Sequence, residues 1–216
     1  METINFNKCT LDFLEESIGL RPRLDSVVLT AWVSSTEILN NFEQMSVQHL
    51  SQHLKKNAFH WNEQALSMHF IGPMFTLPDF TEMSRFNIFP QESIEAEVMP
   101  NITLIGRVDE MIATGFRKPK IPIFAFNEYK RETDPDGDPN GQCLAAMLVG
   151  QKLNNNDLPI YGCVVIGRVW RFVVLEGKNY AFSPNFDAAA YDDACQILRI
   201  LKLLKVYCME RTAAAT

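Results

Sequence analysis

The sequence lacks an apolar run approaching the roughly 20 residues that cross a bilayer. The nearest, residues 188–209, is broken by Asp192, Asp193, Arg199, Lys202 and Lys205, so no membrane segment is expected. The chain opens on acidic Glu2 with no basic stretch leading into an apolar block, which predicts no secretory signal. Cysteine is scarce: the five present show no C-x-x-C spacing, which excludes both a disulfide framework and a zinc cluster. Reduced thiols in a cytoplasmic protein are the simplest reading. Basic charge is short as well. With 20 Lys and Arg against 26 Asp and Glu, the net charge of −6 argues against a general nucleic-acid coat. No P-loop, G-x-S-x-G or G-x-G-x-x-G is present, which removes three common nucleotide-binding and hydrolase site types.

What is there suits one folded domain. The 216 residues are 47% hydrophobic and include 15 Phe, so an aromatic-rich core is expected. Residues 1–58 read as a helical extension, with residues 36–54 placing Leu39, Phe42, Met45, Leu50 and Leu54 at helical spacing. A helix over 59–70 should stop at Gly72-Pro73. Strands are predicted over 94–98, 102–113 and 121–129, then a turn-rich loop over 134–141 and a helix over 142–153. Strands near 160–166, 169–175 and Tyr180 follow, and Asp187 is a plausible N-cap for a helix over 188–207. Residues 212–216 read as a frayed tail. The strand-helix-strand unit from 121 to 166 predicts a parallel crossover, and the whole an α/β domain with a mixed sheet and helices on both faces.

Two predicted strands carry charge where burial is expected. In 123–130 the alternation puts Phe124, Phe126, Glu128 and Lys130 on one face, ending an apolar run with a carboxylate beside an ammonium. In 105–113 Asp109 shares a face with Ile105, Arg107, Met111 and Ala113. Glu63 stands at helical spacing from Phe59, Leu66 and Phe70, so it should point with them toward the sheet. Buried charges are costly unless paired or bound to a metal. Two carboxylates on adjacent strands with a third from a helix make a hard oxygen site suited to Mg²⁺ or Mn²⁺. Lys130 could then polarise a water or offset charge on a phosphate. Around this site, residues 105–131 hold six basic residues (Arg107, Arg117, Lys118, Lys120, Lys130, Arg131) against three acidic ones in an otherwise negative chain. A phosphate-binding footprint and a solvated hairpin tip both explain that excess.

Gly106-Arg-Val-Asp109, Glu128-Tyr-Lys130 and a following helix with Gln142 resemble the PD-(D/E)XK nuclease superfamily, particularly its RecB-like branch. The chain also resembles stand-alone relatives of the nuclease part of type I restriction subunits. The resemblance covers about residues 59–167 and implies a restriction-endonuclease-like αβββαβ core, extended by residues 168–211. It implies metal ligation by Asp109, Glu128 and the Tyr129 carbonyl, with Glu63 as first-helix acid, Lys130 as catalytic lysine and Gln142 reaching back from its helix. His60 and His69 flank Glu63 and are alternatives for that first motif. It further implies a DNA substrate, with Arg107, Arg131 and Arg168 as nucleic-acid contacts, and a separate motor or targeting subunit. A non-catalytic module of the same fold, binding nucleic acid or a partner protein, is the alternative. His49 and His53 lack a third zinc ligand in reach, and Asp134, Asp136 and Asp138 fail as a calcium loop because Pro139 stands at its sixth position. Trp61, Trp170 and Tyr161 are better read as core than as base-stacking platforms.

Overall fold

The computed structural model describes residues 2–82, 85–133 and 137–213. The chain opens with strand β1 (Glu2–Asn5), a short helix α1 (Leu11–Phe13) and strand β2 (Arg21–Pro22). Helices α2 (Val27–Val33), α3 (Asn41–Asn57), α4 (Glu63–Leu66) and α5 (Gly72–Thr76) follow. Next come strands β3 (Phe86–Pro90), β4 (Ser93–Met99), β5 (Ile102–Arg107), β6 (Glu110–Thr114) and β7 (Lys120–Lys130), then helix α6 (Pro139–Asn154). Strands β8 (Ile160–Ile166), β9 (Val169–Glu176), β10 (Asn179–Phe182) and β11 (Phe186–Asp187) lead into helix α7 (Tyr191–Ala213). Among the described residues no helix is long and apolar enough to cross a membrane.

The fold is α/β with mixed sheets. The main sheet runs β2-β10-β9-β8-β7-β6-β3, with β11 on β9, and a small sheet runs β1-β5-β4. As the order of elements predicts, α6 joins β7 to β8, which pair in parallel; β6 and β9 flank them antiparallel. One core lies under the N-terminal helices and α7, around Trp32, Phe70, Trp170 and Phe172. The other surrounds α6, which wedges between the two sheets, and includes Phe126, Leu144 and Met147. Trp170 and Tyr161 are core residues, as read from sequence.

The hairpin from β3 to β6 positions the candidate site. Pro90 pairs with Glu110, and Ser93 with Arg107, so a single register continues from the main sheet into the small one. Between them, the Gln91 amide donates to the Asp109 carbonyl (3.0 Å) and the Val108 amide to the Glu92 carbonyl (2.9 Å). These bonds carry the ladder through a bend where the two strands leave one sheet for the other. Residues 102–113 are therefore not one strand: the run breaks at Val108 and Asp109, and Asp109 stands at the bend. The small sheet is anchored by Phe6, whose ring lies on Gly106 so closely that an added Cβ would sit 2.2 Å from it.

Other expectations are corrected. Residues 1–58 are not purely helical, because β1 pairs in parallel with β5 and β2 with β10. Helix α3 starts five residues later than expected, at a capping box. There the Asn40 side chain accepts from the Glu43 amide (2.9 Å), and the Glu43 carboxylate from the Asn40 amide (2.7 Å). Phe42 and Met45 are more than two-thirds exposed, so they belong to no core stripe. Gly72-Pro73 does not end the helical run. A π-turn (Ser67–Ile71), closed by the Gly72 amide on the Ser67 carbonyl, widens the backbone ahead of the proline, and the chain continues as α5. Helix α6 starts at Pro139, capped by Asp138, and swallows the expected turn residue Gly141, whose missing Cβ leaves room for the Cys9 carbonyl. Helix α7 begins after β11, which holds Asp187 extended against Val169. It runs through Thr212, which is buried rather than frayed. Asp134, Pro135 and Asp136 of the predicted loop, and Ala214 to Thr216 of the predicted tail, lie outside the described residues.

Candidate functional site

The bend and the end of β7 meet. Extending the β6–β7 register by one residue from Glu110↔Asn127 sets Asp109 opposite Glu128. The Asp109 carboxylate accepts from the Tyr129 amide (2.7 Å) and from the Gln91 side chain (3.2 Å), which fixes its orientation. Gln91 has a positive φ of 58°, a conformation that a bulky side chain adopts only when its surroundings hold it there. Asp109 is thus placed by a bend rather than by strand pleating, which corrects its assignment to a strand face with Ile105 and Arg107.

Glu128 and Lys130 are joined at 2.8 Å, and their side chains are 11% and 12% exposed. Burial, then the charge of Asp109, push the Glu128 carboxyl up to about 7, although Lys130 opposes them. Burial works against the Lys130 ammonium, but the carboxylates of Glu128, Glu63 and Asp109 outweigh it and raise its pKa. Phe124 does not share this face. A bulge inserts it between the Ile112↔Ala125 and Ala113↔Ile123 pairs, which turns its ring into the opposite core.

Glu63 is the first residue of α4 and is nearly half exposed, so it does not point into the core with Leu66 and Phe70. It reaches toward Lys130, 4.0 Å away, and Phe59, its expected stripe mate, is 63% exposed. The ammonium therefore stands against both glutamates. Among the described residues, no three His, Cys, Asp or Glu side chains are already arranged around a common ion position. Gln142 is buried in the first turn of α6, its amide against Gly137; among the described residues nothing brings it to the carboxylates. Its neighbour Cys143 does feel their charge, after burial, and its thiol pKa is raised.

Two side chains escaped sequence reasoning, which had placed only the carbonyl of Tyr129 at the site. Glu110 is buried opposite Asn127, whose amide donates to it at 2.8 Å, and burial pushes its carboxyl up to about 7. Tyr129 places a buried hydroxyl close to Glu110 without a partner in hydrogen-bond geometry. The only sequence signal for Glu110 was its place beside Asp109, one residue from the expected ligand. A cavity of about 420 Å³ opens here, bounded by Glu63 and Gln64 on one side and by Gln91, Asp109, Glu110 and Tyr129 on the other.

The basic excess seen in sequence is divided. Arg117 and Lys118 lie in the β6–β7 loop and Lys120 starts β7, so about 33 Å of strand separates them from Lys130. Arg107 is exposed, its guanidinium donating to the Gln91 carbonyl (2.7 Å), and Arg131 is exposed just past β7. Arg168 lies within ion-pair distance of Glu132 (3.6 Å) and Asp187 (3.8 Å). His69 stacks on Trp61 beside His53. His60 closes the short turn before α4.

A carboxyl whose pKa lies near neutrality can exchange a proton at physiological pH, and a neighbouring ammonium can offset negative charge on a substrate. No protein-family model matches the chain, and a search of curated proteins returns no match.

Proposed function

We propose that this chain is a metal-dependent nuclease of the PD-(D/E)XK type, RecB-like branch, hydrolysing phosphodiester bonds in DNA. The observation that carries the reading is the convergence of Asp109, Glu128 and Lys130 where the bent hairpin meets the end of β7. The donor set suits Mg²⁺ or Mn²⁺. Asp109 and Glu128 are carboxylates pressed together in a half-dry site, where burial and then the charge of Asp109 raise the Glu128 pKa against the opposing Lys130. They and the Tyr129 carbonyl would hold the ion, with Glu63 available once it turns from Lys130. A bound divalent ion would activate water and offset phosphoryl charge. Lys130 would present its ammonium to the phosphate, and the hydrogen bonds from Tyr129 and Gln91 would keep Asp109 oriented. Arg107 and Arg131 would contact the DNA backbone; Arg168 would first have to leave its carboxylates. Five free, buried cysteines accord with a reducing, cytoplasmic setting, and targeting or motor activity would come from a separate subunit.

Incubation with single-stranded, duplex and RNA substrates in Mg²⁺ or Mn²⁺ tests this reading. Cleavage that is lost in Asp109→Ala and Lys130→Ala supports it; cleavage retained in both variants refutes it. One observation favours a non-catalytic module of this fold: Lys130 already pairs with the carboxylates an ion would need. No Mn²⁺ binding at millimolar concentration would decide for that module.

A further inference from the structure

We propose that the groove between α3 and the α4–α5 segment is the docking face for a second copy of this chain, the two copies pairing around a two-fold axis. The inference is independent of the chemistry at Asp109 and Glu128.

The pattern of α3 sets the groove up. Val47, Ser51 and Leu54 are buried at i, i+4 and i+7 and turn one face of the helix inward. Phe42, Met45 and His49, at i, i+3 and i+7, fall on the opposite side, and Phe42 and Met45 remain 72% and 71% exposed. Across from them the π-turn contributes Met68, 65% exposed, and α5 contributes Pro73. Half-buried Leu50 and Leu77 join the apolar lining of a recess of about 890 Å³. Single exposed apolar side chains are ordinary, but three that converge on one recess mark an interaction face.

Three properties of that face select a second copy as the occupant. It carries projecting side chains and a recess side by side, the self-complementarity that a two-fold contact requires. No Lys, Arg, Asp or Glu lines it among the described residues, although the chain carries a net charge of −6. Two copies therefore meet there without setting like charges against each other. Area decides the matter. Phe42, Met45 and Met68 leave about 400 Å² of apolar surface open, as much as the largest patch of an ordinary monomer. A two-fold contact uses that patch twice and adds its polar rim, which brings the total to about 1,000 Å², the size a specific interface needs. The recess is broad and open to solvent, so it does not enclose a small molecule as a ligand cavity does. The groove also borders the candidate centre, because Ser67 lines both it and the cavity beside Asp109.

Sedimentation velocity of the full chain, from low micromolar to submillimolar concentration, tests the proposal. A concentration-dependent shift from one chain mass to two is expected, and added salt should not reverse it because the contact is uncharged. Phe42→Gln and, on the opposite wall, Met68→Gln should each raise the dissociation constant about tenfold. Both side chains are mainly exposed, so the circular dichroism of each variant should match that of the parent. A chain that stays monomeric throughout overturns the proposal and leaves the groove to a helix of another protein. A dimer that both substitutions leave intact overturns it as well, since its contact then lies elsewhere. Neither result bears on the nuclease reading, which stands or falls on cleavage.

Discussion

Replacing Lys130 by Met removes the ammonium from the carboxylates and keeps a chain of similar length. In the parent, Glu128 has its pKa raised to about 7, so at about pH 8 it is ionised and paired with Lys130. In the variant its pKa rises further, and at that pH Glu128 either binds a proton against the solvent or stays charged and buried beside Asp109. Removing one partner of a buried ion pair costs about 3–5 kcal/mol, and for a group still 11% exposed the lower end, about 3 kcal/mol, applies. Near pH 5 Glu128 is protonated in both proteins. The difference then shrinks to a lost hydrogen bond of about 1 kcal/mol. The sign follows from the direction of the shift: a raised carboxyl favours the folded state at low pH and loses that advantage as pH rises through its folded pKa. For a chain of this length each kcal/mol moves the melting temperature by about 2–4 °C. Calorimetric melting should therefore show a drop of about 6–12 °C near pH 8 and about 2–4 °C near pH 5, each kcal/mol counting as before. Equal drops at the two pH values, or a larger one in acid, would refute the placement of Lys130 against a buried, ionisable Glu128.

Glu110→Gln should stabilise the protein above neutrality and change little near pH 5. The wild-type carboxyl, raised from 4.5 to about 7, loses its contribution as pH climbs through that window, while the amide keeps an acceptor for Asn127; urea unfolding across the pH range reads this directly. Gly106→Ala forces the Phe6 ring off β5, because the new Cβ would lie 2.2–2.8 Å from three Phe6 carbons. A loss of about 1–3 kcal/mol is expected by chemical denaturation, and Phe6→Leu in the same protein should recover part of it.

The acid–acid–lysine core of the site was legible because local alternation and strand pairing set it. Glu128 and Lys130 interrupt an apolar strand, and Asp109 falls opposite them once β6 and β7 pair. What alternation could not show was the bend at Val108-Asp109, since a strand that changes sheets keeps its pattern and its register. The Phe124 bulge was hidden for the same reason: one extra residue flips the face without changing composition. The two N-terminal strands are four and two residues long, and exist because β5 and β10 offer open edges, which no local window records. Gly141 reads as a turn residue until the Cys9 carbonyl is known to lie against it. Gly72-Pro73 reads as a stop, and the π-turn that accommodates it has no sequence signature. Glu63 was placed by helical spacing alone. At the first position of α4 there is no preceding turn to fix its direction, so its side chain turned to the nearest cation, Lys130.

A calorimetric titration of the full chain with Mn²⁺ at neutral pH separates the proposed divalent-cation site at Asp109 and Glu128 from a metal-free carboxylate–lysine cluster. Saturable binding is expected, with protons released as the ion displaces them from the raised Glu128 carboxyl, and loss of that binding in Asp109→Asn with the melting temperature of the metal-free protein retained. No binding, or binding that Asp109→Asn leaves unchanged, would contradict it.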